Sequence, residues 1–154
     1  MKKVAVSACL LGEQCRYDGQ IKVDNKLIAA LEGYEVVAFC PEAPLFGTPR
    51  ERISILHVKG NYCVRTDHTD RDVTELLKQE SLEFISHNPD IEMFVLKSKS
   101  PSCGLGTAQI LDEERHFLTY GDGISVSVFK TVSPNCIFKD EHSFMQACED
   151  VQNY

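Results

Sequence analysis

Three short apolar runs, each of the kind a buried strand needs, give way to a cysteine in a constrained loop. Val4–Cys9 is almost continuously apolar, Tyr34–Phe39 is followed at once by Cys40, and Glu92–Leu96 leads into the segment that carries Cys103. Unbroken apolar runs of this length suit parallel strands covered on both faces. In an open parallel sheet the loops at the carboxyl ends of the strands converge on one edge, so thiols far apart in sequence can become neighbours. Three thiolates meeting there suit a soft centre: an Fe–S cubane with one iron left open, or zinc with a free position. Cysteine is also a common small buried residue at a strand end, and no two of the three form a close CxxC pair.

Between these runs the chain alternates. Asn25–Glu32 suits a short helix or turn, and Cys40–Arg50, with three prolines and a glycine, reads as a loop. Ser54–Val58 is a further strand candidate. A polar stretch then ends in Asp72, whose carboxylate can cap a helix containing Val73–His87, with Thr74 as an alternative cap. Lys97–Gly106 is a second constrained loop, Ile124–Val128 is strand or the opening of a helix, and Glu141–Asp150 is helical. This order predicts one α/β domain over residues 1–154: an open, mostly parallel sheet flanked by helices, a Rossmann-like three-layer architecture.

Composition narrows the partners. With Asp+Glu 23 against Lys+Arg 16 the formal net charge is -7, which argues against a nucleic-acid polymer. No apolar run reaches the ~18 residues that a membrane span requires, and the opening MKKVAVSACLLG reads as a first buried strand rather than a secretion signal. Seven cysteines cannot all pair within a monomer, and unpaired thiols point to a reducing, cytoplasmic location. Composition leaves the oligomeric state open.

The residue strings are more specific. Ser7-Ala8-Cys9-Leu10-Leu11-Gly12 with Cys15-Arg16-Tyr17-Asp18-Gly19, then Cys40-Pro41-Glu42 with Pro49-Arg50, Asp72-Val73-Thr74, Lys97-Ser98 with Ser100-Pro101-Ser102-Cys103-Gly104, and Gly121-Asp122-Gly123 follow one another in order. Together they resemble, over roughly residues 3–141, a bacterial family once known only as a domain of unknown function that includes the iron–sulfur thiouracil desulfidases. That resemblance implies a [4Fe-4S] cluster on Cys9, Cys40 and Cys103; Cys15, in the same first loop as Cys9, competes for the place of Cys40, and zinc is the alternative metal that thiolate donors admit. It implies removal of sulfur from a thiolated pyrimidine or related thiocarbonyl compound, oxygen from water taking its place, and sulfide discharged or handed to an acceptor. The other class that this cysteine pattern admits is a non-enzymatic metal- or sulfur-sensing protein.

Site roles follow with their plainer counterparts. Glu42 is the candidate acid/base, or a carboxylate paired with Arg50. Ser100 donates to substrate or assists proton transfer, although Ser100 and Ser102 both also suit turn capping. Arg16, Tyr17 and Asp18 could orient, stack on and hydrogen-bond a heterocycle, or Arg16 and Asp18 form an internal salt bridge with Tyr17 packed over the loop. Lys97 and Lys99 make the cysteine loop basic or simply face solvent. The chain departs from the resemblance in a shorter second signature, Ala43-Pro44-Leu45-Phe46-Gly47-Thr48, and in Asp112-Glu113-Glu114 where a glycine-containing turn is usual.

Overall fold

In the computed structural model, residues 1–13, 16–19 and 23–152 are described, the side chains of 150–152 apart. The elements are β1 (Lys3–Ser7), a 3₁₀ turn (Ala8–Leu10), α1 (Asn25–Ala30), β2 (Glu35–Phe39), α2 (Glu42–Phe46), β3 (Ile53–Val58) and β4 (Asn61–Thr66). They continue with α3 (Thr74–His87), β5 (Met93–Leu96), β6 (Ala108–Leu111), β7 (Phe117–Gly121), α4 (Ile124–Val132), β8 (Ile137–Asp140) and α5 (Glu141–Gln152).

The three strands read from the apolar runs lie side by side in a parallel sheet of order β2-β1-β5-β8. Its residues alternate between two cores, as a period of two requires. Ala5, Phe94 and Leu96 face Ile85, Val126 and Phe129 of α3 and α4. Val4, Val6, Met93 and Val95 face Leu27 of α1 and Phe144 of α5. The α/β fold with a largely parallel, helix-covered sheet is therefore present. Because α1 and α3 cover opposite faces, the winding reverses beside β1, which puts a crevice at the carboxyl ends of β1 and β5.

A second sheet, of order β4-β3-β6-β7, packs Ile55, Val64 and Ile110 against Leu77 of α3 and Ile124 of α4. Only β3 was legible in advance. β4, NYCVRT, buries only Val64 and Thr66, and the pattern of β7 is almost entirely exposed, so neither shows an apolar run. The β6–β7 turn explains the missing glycine: the Asp112 carboxylate accepts the N–H groups of Glu114 (2.9 Å) and His116 (2.8 Å), and Arg115 itself adopts φ 67°. Residues 40–50 are also not wholly loop. Pro44 is the third residue of α2, a position whose N–H would have no partner within the helix, so its ring is tolerated there. Asp72 does serve the start of α3, accepting the N–H (3.0 Å) and hydroxyl (2.7 Å) of Thr74, while the Thr74 hydroxyl oxygen accepts from Val64 N–H. No described helix is long and apolar enough to cross a membrane.

Phe94 is fully buried between two rings, Phe129 at 4.5 Å and Phe138 at 5.1 Å between centroids. Phe94→Ala should cost about 3–5 kcal/mol, the range for emptying an aromatic core position. Denaturant unfolding checks it; a loss under about 1 kcal/mol would show that α4 does not depend on this stack.

Candidate functional site

The crevice is a cavity of about 260 Å³ lined by all three strand ends. The end of β1 contributes Ser7 and the 3₁₀ turn after it Cys9, β2 contributes Phe39 with Cys40 next in the chain, and the loop after β5 contributes Lys97–Pro101 and Cys103. Glu42 of α2, Arg16, Tyr17, Arg50 and Arg52 complete the wall. Cys9, Cys40 and Cys103, expected to meet, thus face one space. Cys15 lies outside the described residues.

Backbone hydrogen bonds set the Cys103 loop. The carbonyls of Gly104, Pro101 and Ser102 accept the N–H groups of Gly123 (2.7 Å), Ile124 (2.9 Å) and Ser125 (2.9 Å), three of the donors that a helix start leaves without intrahelical partners. Ser100 Oγ accepts from the amides of Ser102 (3.2 Å) and Cys103 (3.0 Å), the turn-capping role, while the residue remains at the cavity wall. Lys97 N–H donates to Ser7 Oγ at 2.9 Å, joining the ends of β5 and β1.

Glu42 connects the loops. Its Oε1 is 3.4 Å from Arg50 Nε, and its Oε2 accepts from the buried Ser102 hydroxyl at 2.8 Å. The Arg50 pairing foreseen as the plainer role exists, and it also fixes the carboxylate at the cavity. Both side chains are largely buried, so deleting either leaves an uncompensated charge. Ser102, not Ser100, is the hydroxyl that touches Glu42; its clue was its place next to Cys103.

Burial pushes the Cys103 thiol far up; a hydrogen bond with Ser7 pulls it down, and Cys9, Cys40 and Glu42 raise it further. A metal centre would reverse that balance, since coordination deprotonates a thiol. Cys40 Sγ already accepts Ala43 N–H at 3.5 Å. Among the described residues no three His, Cys, Asp or Glu side chains gather around a single-ion position. A cubane asks for something else, three thiolates on three separate irons, and a soft all-sulfur donor set from three loops fits that group.

Five cations, Arg16, Arg50, Arg52, Lys97 and Lys99, and one carboxylate, Glu42, line the cavity of a protein whose overall charge is negative. The Arg52 guanidinium lies 5.2 Å from the centroid of the Tyr17 ring, while Arg16 and Asp18 form the internal pair at 3.5 Å. Asp18 is not part of the wall. Arg52 escaped the sequence reading, although the alternation Arg50-Glu51-Arg52 was a usable signal: Glu51 points away and anchors the strand. Its carboxylate accepts the N–H groups of Thr69 (3.0 Å) and His68 (2.9 Å) and the Thr69 hydroxyl (3.0 Å), which hold it at about 2 against an ordinary 4.5.

Because the folded state lowers the Glu51 value, its contribution is fully present above about pH 4.5 and is lost as the pH falls through about 2. Wild-type protein should therefore melt above Glu51→Gln at neutral pH, and the gap should close between those limits in thermal melts taken across the acid range. Gly123→Ala tests the loop: its Cβ would lie 2.5 Å from the carbonyl carbon and oxygen of Ser102 and 2.9 Å from Cys103 N. Such overpacking should cost about 1–3 kcal/mol and expose Cys103 to faster alkylation, read by mass spectrometry.

The geometry meets known proteins at this point. A solved [4Fe-4S]-dependent thiouracil desulfidase, TudS, matches with a TM-score of 0.70 and 30% identity, and the match covers 100% of both chains. The uncharacterised protein YbbK of Bacillus subtilis (strain 168) is 28% identical over 146 residues, 90% of this chain and 96% of its own. The family described as 2-thiouracil desulfurase matches residues 4–142, in agreement with the span of the sequence motifs. This chain belongs to the 2-thiouracil desulfurase family.

Proposed function

We propose that the protein is an iron–sulfur-dependent desulfidase that replaces the sulfur of a thiolated pyrimidine, or a related small thiocarbonyl compound, with oxygen from water. Family membership supports a thiouracil-desulfidase-like activity of this general kind. The observation that carries the finer proposal is the meeting of Cys9, Cys40, Cys103 and Glu42 around one cavity at the sheet's carboxyl edge. In this proposal Cys9, Cys40 and Cys103 hold a [4Fe-4S] cluster. When bound, the cluster supplies an open iron that accepts sulfur as an electrophile, with no net oxidation or reduction.

The chain's own residues do the rest. The cationic wall favours the polarised, thiolate-like form of a thioamide over a neutral apolar ring. Arg16 orients that ring and Tyr17 covers it, with Asp18 acting through Arg16. Glu42, held by Arg50 and Ser102, takes a proton from the attacking water as oxygen bonds to the thiocarbonyl carbon, and returns it as the carbon–sulfur bond breaks. Ser100 supplies a hydroxyl at the same wall. One thiocarbonyl and one water become one carbonyl and one hydrogen sulfide. Cysteine thiols held outside disulfides at the site fit a reducing compartment, so the cytoplasm is the proposed location.

Iron and acid-labile sulfide after anaerobic purification test the proposal, together with turnover of 2- and 4-thiouracil. About four of each per chain are expected, lost in Cys103→Ser. Glu42→Gln should keep its iron while kcat falls by roughly 10²–10⁴. Absence of iron under cluster-competent expression overturns the cluster; a full cluster without turnover of any thiolated base leaves a sensing protein.

A further inference from the structure

Cys9, Arg16 and Lys97 line a second cavity, of about 380 Å³, as well as the first. Its remaining wall includes Lys26 and His142, with the acids Asp24 and Glu141. Both acids are already engaged. Asp24 Oδ1 caps α1 by accepting Leu27 N–H at 3.1 Å; Glu141 Oε1 accepts Ser98 N–H at 2.8 Å, and its Oε2 pairs with Lys97 at 3.2 Å. Two of the cations keep bonding capacity to spare. Among the described residues the exposed Lys26 enters no ion pair, and Arg16, although paired with Asp18 at 3.5 Å, keeps its buried Nε without a hydrogen bond. A buried donor without a hydrogen bond and an ammonium outside any ion pair, on one cavity wall, suit a small anion.

We propose that this second cavity binds a small monoanion and is the way out for hydrosulfide, which leaves past Cys9 instead of back through the space held by the heterocycle. The role for hydrosulfide rests on the desulfidase activity proposed above; the anion site rests on Arg16 and Lys26 alone. Hydrolysis of a thiocarbonyl consumes one water and releases one hydrogen sulfide, with no electrons moved, so each turnover yields one candidate occupant. Two outlets sharing Cys9 let product sulfur and product base depart independently.

Two measurements test it. In metal-free protein, bromide exchanged for gluconate at constant ionic strength should shift the amide resonances of Asn25, Lys26 and His142 saturably, and Lys26→Glu should abolish the shifts. Shifts that are absent, or spread evenly over the surface, overturn the anion site. In the loaded enzyme, Lys26→Glu should weaken inhibition by added hydrosulfide about tenfold, the order expected for reversing one nearby charge, while kcat/KM for the thiolated base stays unchanged. Lys26→Met should give an intermediate change. Unaltered hydrosulfide inhibition overturns the exit role. A wild-type enzyme that turns over no thiolated base defeats the desulfidase proposal itself, and the bromide titration then still decides the anion site separately.

Discussion

The hydrogen bonds between the Cys103 loop and the start of α4 are the constraint on which the rest of the site depends. A helix start leaves amide donors without intrahelical partners, and here Gly123, Ile124 and Ser125 spend theirs on the carbonyls of Gly104, Pro101 and Ser102. The same contact therefore ends one loop and begins one helix. It demands a residue without a side chain at Gly123, where a Cβ would collide with the Ser102 carbonyl. It also fixes Ser102, whose hydroxyl then reaches Glu42 on a different loop. Cys103, Glu42 and the packing of α4 against the Phe94 stack are consequences of one junction.

Charge is arranged against the protein's average. The chain is acidic overall, yet its cavity gathers five basic side chains around a single carboxylate. Concentrating like charges is costly unless each has a partner, and three of the five have one: Arg50 with Glu42, Lys97 with Glu141, Arg16 with Asp18. Arg52 rests instead against the face of Tyr17, a contact that keeps its charge available. Such a wall suits an anionic or strongly polarised ligand.

What could be read from sequence follows from how each element advertises itself. β1, β2 and β5 are apolar on both faces, and their cysteines sit where strand turns to loop, so the parallel sheet and the convergence of Cys9, Cys40 and Cys103 were legible. β4 and β7 are half or mostly exposed and carry no such run; their pairing comes from β3 and β6 between them. α2 was hidden by Pro44, because a proline reads as a breaker unless the first turn is already placed. Ser102 and Ser100 are two residues apart with the same chemistry, and only the direction of the loop decides which hydroxyl meets Glu42. Glu141 looked like an ordinary helix opener, and its tie to Lys97 and Ser98 depends on β8 lying next to β5.

The second sheet looks peripheral to a site built on the first, yet the segment that leads into it supplies two of the five cations of the cavity wall. Arg50 and Arg52 stand at the entry to β3, and Glu51 between them is bound to the turn after β4 by three hydrogen bonds. That turn is itself tied down: Arg115, from the β6–β7 hairpin, pairs with Asp67 at 2.7 Å and Asp70 at 3.1 Å. The two hairpins of the second sheet thus brace the arginine-bearing segment from its far side. Changes in those hairpins can move Arg52 over Tyr17 without touching Cys9, Cys40 or Cys103. Within a fold of this kind, the cationic part of the wall can diverge through the second sheet while the cysteine-bearing edge of the first stays as it is.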